Sequence, residues 1–208
     1  MVFHLGLDQR RLKPSESLYP LVIRECLEYE PDLLSEAQQA IKDGALEIDT
    51  VIPLGLLLSQ PPRYQELFQH LRTIISAADP VPVKVIIETG LIPTPELKIA
   101  ACVLAAEAGA AFVKTSTGFA AGGGATKEDV QLMYRTVKYK GSVKVKASGG
   151  VRSFEACKEM FAAGAERIGT YVPIEFGRHI MANADCLRFR SSSGAAIVAN
   201  AAGSAGSY

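Results

Sequence analysis

Three charged side chains stand inside otherwise apolar runs, and their types and spacing suit imine chemistry. Lys114 lies in Ala111-Phe112-Val113-Lys114-Thr115-Ser116-Thr117-Gly118-Phe119. Lys146 lies in Val143-Lys144-Val145-Lys146-Ala147-Ser148-Gly149-Gly150-Val151-Arg152, and Asp49 in Glu47-Ile48-Asp49-Thr50-Val51. Burying a lysine is costly, so its place in an apolar run needs a reason. A desolvated lysine has a lowered pKa and attacks a carbonyl as the neutral amine. Both lysines fall just before the ends of consecutive strand-like runs, where like charge lowers the pKa of at least one. A carboxylate opposite them can pass protons between them. The same three groups could instead be a buried structural ion-pair network, which perturbs pKa values in the same way.

Glycine loops follow the two lysine runs: Gly118 and Gly122–Gly124 after the first, Gly149 and Gly150 after the second. Glycine lets backbone N–H groups approach an anion. Further on, Ser191-Ser192-Ser193-Gly194 opens a small-residue segment, 195–202, that reads as a helix whose N-terminus would suit an anion. Each loop alone is a tight turn. Three in order beside the lysines favour an anion pocket.

The elements that must hold these residues follow from periodicity. Strands are predicted over 2–7, 47–52, 83–87, 111–116 and 142–147, with another starting at 166. Helices are predicted from about 19 to 30 and over 33–43, 63–78, 95–108, 126–137 and 153–163. Alternating strand and helix with short loops means parallel strands and crossover helices. An open doubly wound sheet and a closed barrel both satisfy that pattern. Glu47 shares a strand face with Asp49, Lys84 with Glu88, and Lys144 with Lys146. In an open sheet these charges would point into covering helices. In a barrel they converge near the C-terminal mouth, so the α/β fold expected is a TIM (β/α)8-type barrel.

Composition narrows the function classes. The chain has 208 residues, 48% of them hydrophobic, and a formal net charge of zero. That suits one globular domain over 1–208 and argues against a broad nucleic-acid or anionic-membrane surface. Cys26, Cys102, Cys157 and Cys186 lie far apart without a CxxC pair, and His4, His70 and His179 make no metal-ligand spacing. No metal site is expected. Without a transmembrane-length run or a signal-peptide layout, the expected setting is the reducing cytoplasm.

Phe112–Phe119 and Lys146–Arg152 closely resemble the two signature motifs of the deoxyribose-phosphate aldolase family, class I aldolases on a TIM barrel. Asp43-Gly44-Ala45, Val83–Gly90 and Ala163–Thr170 agree with it, and the likeness is nearly continuous from about Ser35 to Thr170. It implies a carbon–carbon lyase of deoxyribose phosphate and deoxyribonucleotide catabolism. The reaction is reversible cleavage of 2-deoxy-D-ribose 5-phosphate to D-glyceraldehyde 3-phosphate and acetaldehyde. By that resemblance Lys114 forms the Schiff base. Lys146 tunes its pKa and moves protons, and Asp49 is the proton relay. Gly118, Gly149, Gly150, Ser192 and Ser193 hold the phosphate. No metal or organic cofactor is implied; the partner is a small phosphorylated sugar, and homo-oligomerisation stays open.

The chain also departs from the family pattern. Leu7-Asp8-Gln9-Arg10-Arg11-Leu12-Lys13-Pro14 is a worn form of the first-strand motif, with Arg10 at the threonine position. The family's second strand, its helix, the third strand and a Gly-Phe-Pro-Leu-Gly loop have no counterpart, so an incomplete barrel is expected. Residues 1–34 are then a divergent first strand and helix, 171–187 an insertion, and 200–208 a low-complexity tail. Arg190 stands where the resuming phosphate motif has glycine. Lys144 adds a second inward cation to its strand. These departures keep a second reading open: a catalytically inactive, truncated family member serving as a phosphate-binding or interaction module.

Overall fold

The computed structural model describes residues 2–4, 33–121, 123–170, 188–191 and 196–198. In chain order the elements are β1 (Val2–His4), α1 (Leu33–Lys42), β2 (Glu47–Val51), α2 (Leu54–Leu58), α3 (Tyr64–Ala78) and β3 (Val83–Ile86). There follow α4 (Pro95–Ala108), β4 (Phe112–Lys114), α5 (Lys127–Val137), β5 (Lys144–Ser148) and α6 (Phe154–Ala162). The chain goes on through β6 (Arg167–Thr170), β7 (Arg188–Ser191) and β8 (Ala196–Val198). The expected first helix, residue Gly122, the 171–187 segment, Ser192, Ser193 and the tail lie outside the described residues.

The strands form one sheet in sequence order, β1 to β8. Every neighbouring pair from β1–β2 to β6–β7 is parallel, and β7–β8 is antiparallel. A doubly wound sheet reverses its strand order at a switch point. Here the order never reverses, so the architecture is of the (β/α)8-barrel type. It is incomplete: among the described residues no pairing joins β8 back to β1.

Local sequence explains the elements. Helix α4 starts where Thr94 Oγ1 accepts the Leu97 N–H and Pro95 takes the first turn, and it ends at Gly109 with φ +102°. The α5 and α6 helices start the same way, with Thr126 accepting the Asp129 N–H and Ser153 the Ala156 N–H. On α3, Leu67, Leu71 and Ile74 recur at helical spacing and are all buried. Burying each of these contributes about 1.5–3 kcal/mol. The buried face of α4 is made of Ala101, Cys102, Ala105, Ala106 and Ala108, and such small side chains let α3 and α5 pack on it from either side. The buried thiols of Cys102 and Cys157 are free, and burial pushes them up to about 12 and about 11.

The structure corrects three expectations. Lys144 is not an inward cation: it is exposed and its Nζ lies 3.1 Å from Glu166 Oε2. It shares parity with Lys146, but as the first residue of β5 it reaches solvent at the strand's N-terminal end. The segment after Ser193, expected as a helix, holds strand β8, which contains the β-branched Ile197 and Val198. Helix α2, in Leu54-Gly55-Leu56-Leu57-Leu58, was not expected after Pro53; its leucines 54, 56 and 57 are buried. Finally, β1 lies directly beside β2, with Phe3 opposite Ile48, so Val2–His4 occupies the sheet position next to the Asp49 strand.

Candidate active site

Strand register brings the charged residues together. Asp49 on β2 is opposite Lys84 on β3, Lys114 on β4 is opposite Lys146 on β5, and Lys146 is opposite Arg167 on β6. Asp49 is fully buried and sits between amines. Its Oδ1 accepts from Lys84 Nζ at 2.7 Å and its Oδ2 from Lys114 Nζ at 2.8 Å. Lys146 Nζ is 3.8 Å from that same Oδ2. The three residues singled out from sequence therefore meet at one carboxylate oxygen.

Burial pushes the Lys146 ammonium down to about 7, helped by Lys114, Lys84 and Arg167 and opposed by Asp49. The expectation that one of the neighbouring lysines is depressed is thereby met. At neutral pH the Lys146 amine is divided between its two protonation states, which is where an acid–base group works best.

A second layer lies behind this cluster. Lys84 Nζ is also 3.0 Å from Glu47 Oε2. The Arg167 guanidinium donates to both Glu47 oxygens, at 2.8 and 2.9 Å, and lies over the Phe112 ring at 4.4 Å. Burial raises the Glu47 carboxyl, but Arg167 and Lys84 outweigh it and hold it below its ordinary value. Parity places Glu47 and Lys84 on the faces expected to converge at the mouth, but without a role in the site, and Arg167 is not singled out by the sequence.

The ends of β4 and β5 are clamped by Thr115. Its Oγ1 donates to the Ser148 carbonyl and accepts the Ser148 N–H, both at 2.9 Å. That side chain ties the strand of Lys114 to the strand of Lys146, one residue beyond Lys114 and two beyond Lys146. The glycine loops above them also meet. A Cβ built on Gly149 would lie 3.7 Å from Gly118 Cα, and one built on Gly124 would collide with the Gly149 carbonyl. The Ala125 N–H donates to that carbonyl at 3.0 Å. Gly118 and Gly149 are thus brought together, with Gly150 next in chain. Ser192 and Ser193 lie outside the described residues. Among the described residues no group of three or more His, Cys, Asp or Glu could hold a metal, and no helix is long and apolar enough to cross a membrane.

Comparison with known proteins gives the family of the chain that carries this arrangement. A family model described as DeoC/LacD family aldolase matches residues 24–182. The chain belongs to that family. It is 54% identical over 139 residues to a deoxyribose-phosphate aldolase of Carboxydothermus hydrogenoformans, covering 65% of this chain and 58% of the relative. It is 48% identical over 150 residues to one from Staphylococcus epidermidis, covering 72% and 66%. The chain therefore spans roughly three-fifths to two-thirds of the length of these curated relatives. Among solved structures, an aldolase designated QR15 superposes with a TM-score of 0.66 at 36% identity, over 76% of this chain and 71% of that one. A deoxyribose phosphate aldolase from Aeropyrum pernix, described as tetrameric, gives 0.56 at 34% identity, over 69% and 59%.

Proposed function

We propose that this DeoC/LacD-family chain is a deoxyribose-phosphate aldolase, cleaving 2-deoxy-D-ribose 5-phosphate reversibly to D-glyceraldehyde 3-phosphate and acetaldehyde through a Schiff base. The observation that carries the reading is the shared Asp49 Oδ2, 2.8 Å from Lys114 Nζ and 3.8 Å from Lys146 Nζ. An imine-forming amine must first lose its proton, and a neighbouring neutral amine with a carboxylate between them can take it.

In this reading Lys114 attacks C1 of the open-chain sugar and water leaves to give the iminium. The C3 hydroxyl gives up its proton, the C2–C3 bond breaks, and its electron pair moves into the iminium as an enamine. D-glyceraldehyde 3-phosphate departs, C2 is protonated, and water releases acetaldehyde from Lys114. Lys146 and Asp49 supply and accept the protons. Gly118, Gly149 and Gly150 present backbone to the 5-phosphate, together with Ser192 and Ser193. A homo-oligomer and a cytoplasmic setting belong to the same proposal; the former is supported by the tetrameric description of the Aeropyrum pernix relative.

The depressed Lys146 favours one specific second reading, in which Lys146 is the nucleophile and Lys114 its cationic neighbour. One experiment separates the two. Acetaldehyde and borohydride are added to the folded protein, and the modified lysine is mapped by mass spectrometry. A two-carbon group on Lys114, absent from Lys114→Met, is the expected result. Labelling of Lys146 exchanges the roles, and no adduct on a folded sample refutes the aldolase reading.

A further inference from the structure

Glu88 follows β3 at the mouth of the site, and it combines features that a bystander would not need. Its backbone is left-handed, φ 55° and ψ 61°, and among the described residues it is the one non-glycine residue with positive φ. Such a conformation disfavours a side chain with a Cβ and persists only where the surroundings enforce it. The enforcement is visible on both sides: the Ile87 N–H donates to the Lys114 carbonyl at 3.0 Å, and the Thr89 N–H to the Thr115 carbonyl at 2.9 Å.

The side chain is fully buried. Its Oε2 accepts the Thr117 N–H at 2.9 Å, while its Oε1 has no hydrogen-bond partner among the described residues. Burial raises its carboxyl above the ordinary value, against the Thr117 N–H and the charge of Lys114. From Thr117 the contacts continue into the loop. Thr117 Oγ1 accepts the Phe119 N–H at 3.1 Å, which turns the chain at Gly118, where φ is +92°. Gly118 in turn lies against Gly149.

We propose that Glu88 is a positioning residue: its carboxylate holds Thr117, and through it the Gly118 turn, in the form that accepts the phosphate of the substrate. This rests on the aldolase reading for the identity of the anion, but its geometry is that of the loop alone. The strained backbone lets a side chain just past β3 reach the amide beyond the end of β4.

The test compares wild type with Glu88→Ala, Glu88→Gly and Glu88→Gln. Glycine removes the carboxylate while relieving the left-handed backbone, so it keeps a folded comparison if alanine unfolds the chain. Glutamine keeps an acceptor oxygen. Losing a hydrogen bond to a charged group should raise KM for 2-deoxyribose 5-phosphate about tenfold or more in the alanine and glycine variants. Unphosphorylated 2-deoxyribose should be turned over as in wild type, and Glu88→Gln should restore most of the KM. Inorganic phosphate affinity, followed by phosphorus NMR, should fall in parallel. That readout needs no turnover, so an inactive wild type that still binds phosphate would sink the aldolase reading and leave Glu88 testable. Equal phosphate affinity in all four proteins, no phosphate binding by wild type, or equal loss on both sugars would overturn the proposal.

Discussion

Lys146 should make the folded protein less stable at neutral pH than an apolar residue would, and the deficit should vanish in alkali. Its ammonium ordinarily titrates near 10.5 and here falls to about 7. At about 1.36 kcal/mol per pH unit, that gap corresponds to about 4–5 kcal/mol. The side chain keeps 13% exposure, so solvent screening trims the figure to about 3–5 kcal/mol. The sign follows from proton counting. Between about 7 and 10.5 the unfolded chain binds the proton and the folded one does not, so stability rises with pH in that window. Below 7 both states are protonated and the whole cost is present. Above 10.5 neither is, and the cost is gone. Replacing Lys146 by leucine removes the group. Urea unfolding followed by circular dichroism, at pH 6.5, 8.5 and 10.5, should show Lys146→Leu ahead of wild type by several kcal/mol at the first and nearly level at the last. Turnover should meanwhile be lost. A difference that is flat with pH would refute the picture of a crowded, desolvated ammonium, whatever happens to activity.

Two further outcomes follow from single contacts. Asp49→Asn leaves the Lys84 and Lys114 amines, both buried, facing a neutral amide, and should cost about 3–5 kcal/mol in urea unfolding at pH 7 along with turnover; a loss under 1 kcal/mol would show the amines finding other partners. Thr115→Val keeps the shape of the side chain but strips the Ser148 N–H of its partner, and should destabilise by about 1–3 kcal/mol, whereas Thr115→Ser should stay close to wild type; equal stability of the two variants would remove Thr115 as the clamp between β4 and β5.

Much of this was legible in the sequence because two periodicities carry it. The 3.6-residue spacing of Leu67, Leu71 and Ile74 marks α3. The two-residue alternation of Glu47 with Asp49 puts both on one strand face, and the site residues Lys114, Lys146 and Asp49 do converge. What escaped was set by tertiary context. Lys144 has the parity of an inward residue, yet position along the strand decided its exposure. Helix α2 offers five residues, too few for periodicity to speak. The left-handed Glu88 has no sequence mark at all, because glutamate in that conformation is dictated by its neighbours rather than by its own preference.

The polar interior also shows how an incomplete barrel can still hold its site. In sheet order β2 and β6 are four strands apart. A flat sheet, at about 4.8 Å per strand, would separate them by about 19 Å, beyond the combined reach of an arginine and a glutamate. Yet Arg167 donates to both oxygens of Glu47 at 2.8 and 2.9 Å. Asp49 and Lys146, three strands apart, lie at 3.8 Å. The sheet is therefore curled around its charged face as a closed barrel would be, although no β8–β1 hydrogen bonding is seen among the described residues. The ion pairs span the interior where backbone pairing would otherwise span the wall. The arrangement of Lys114, Lys146 and Asp49 depends on that curl, and the contacts that report it lie within β2 to β6.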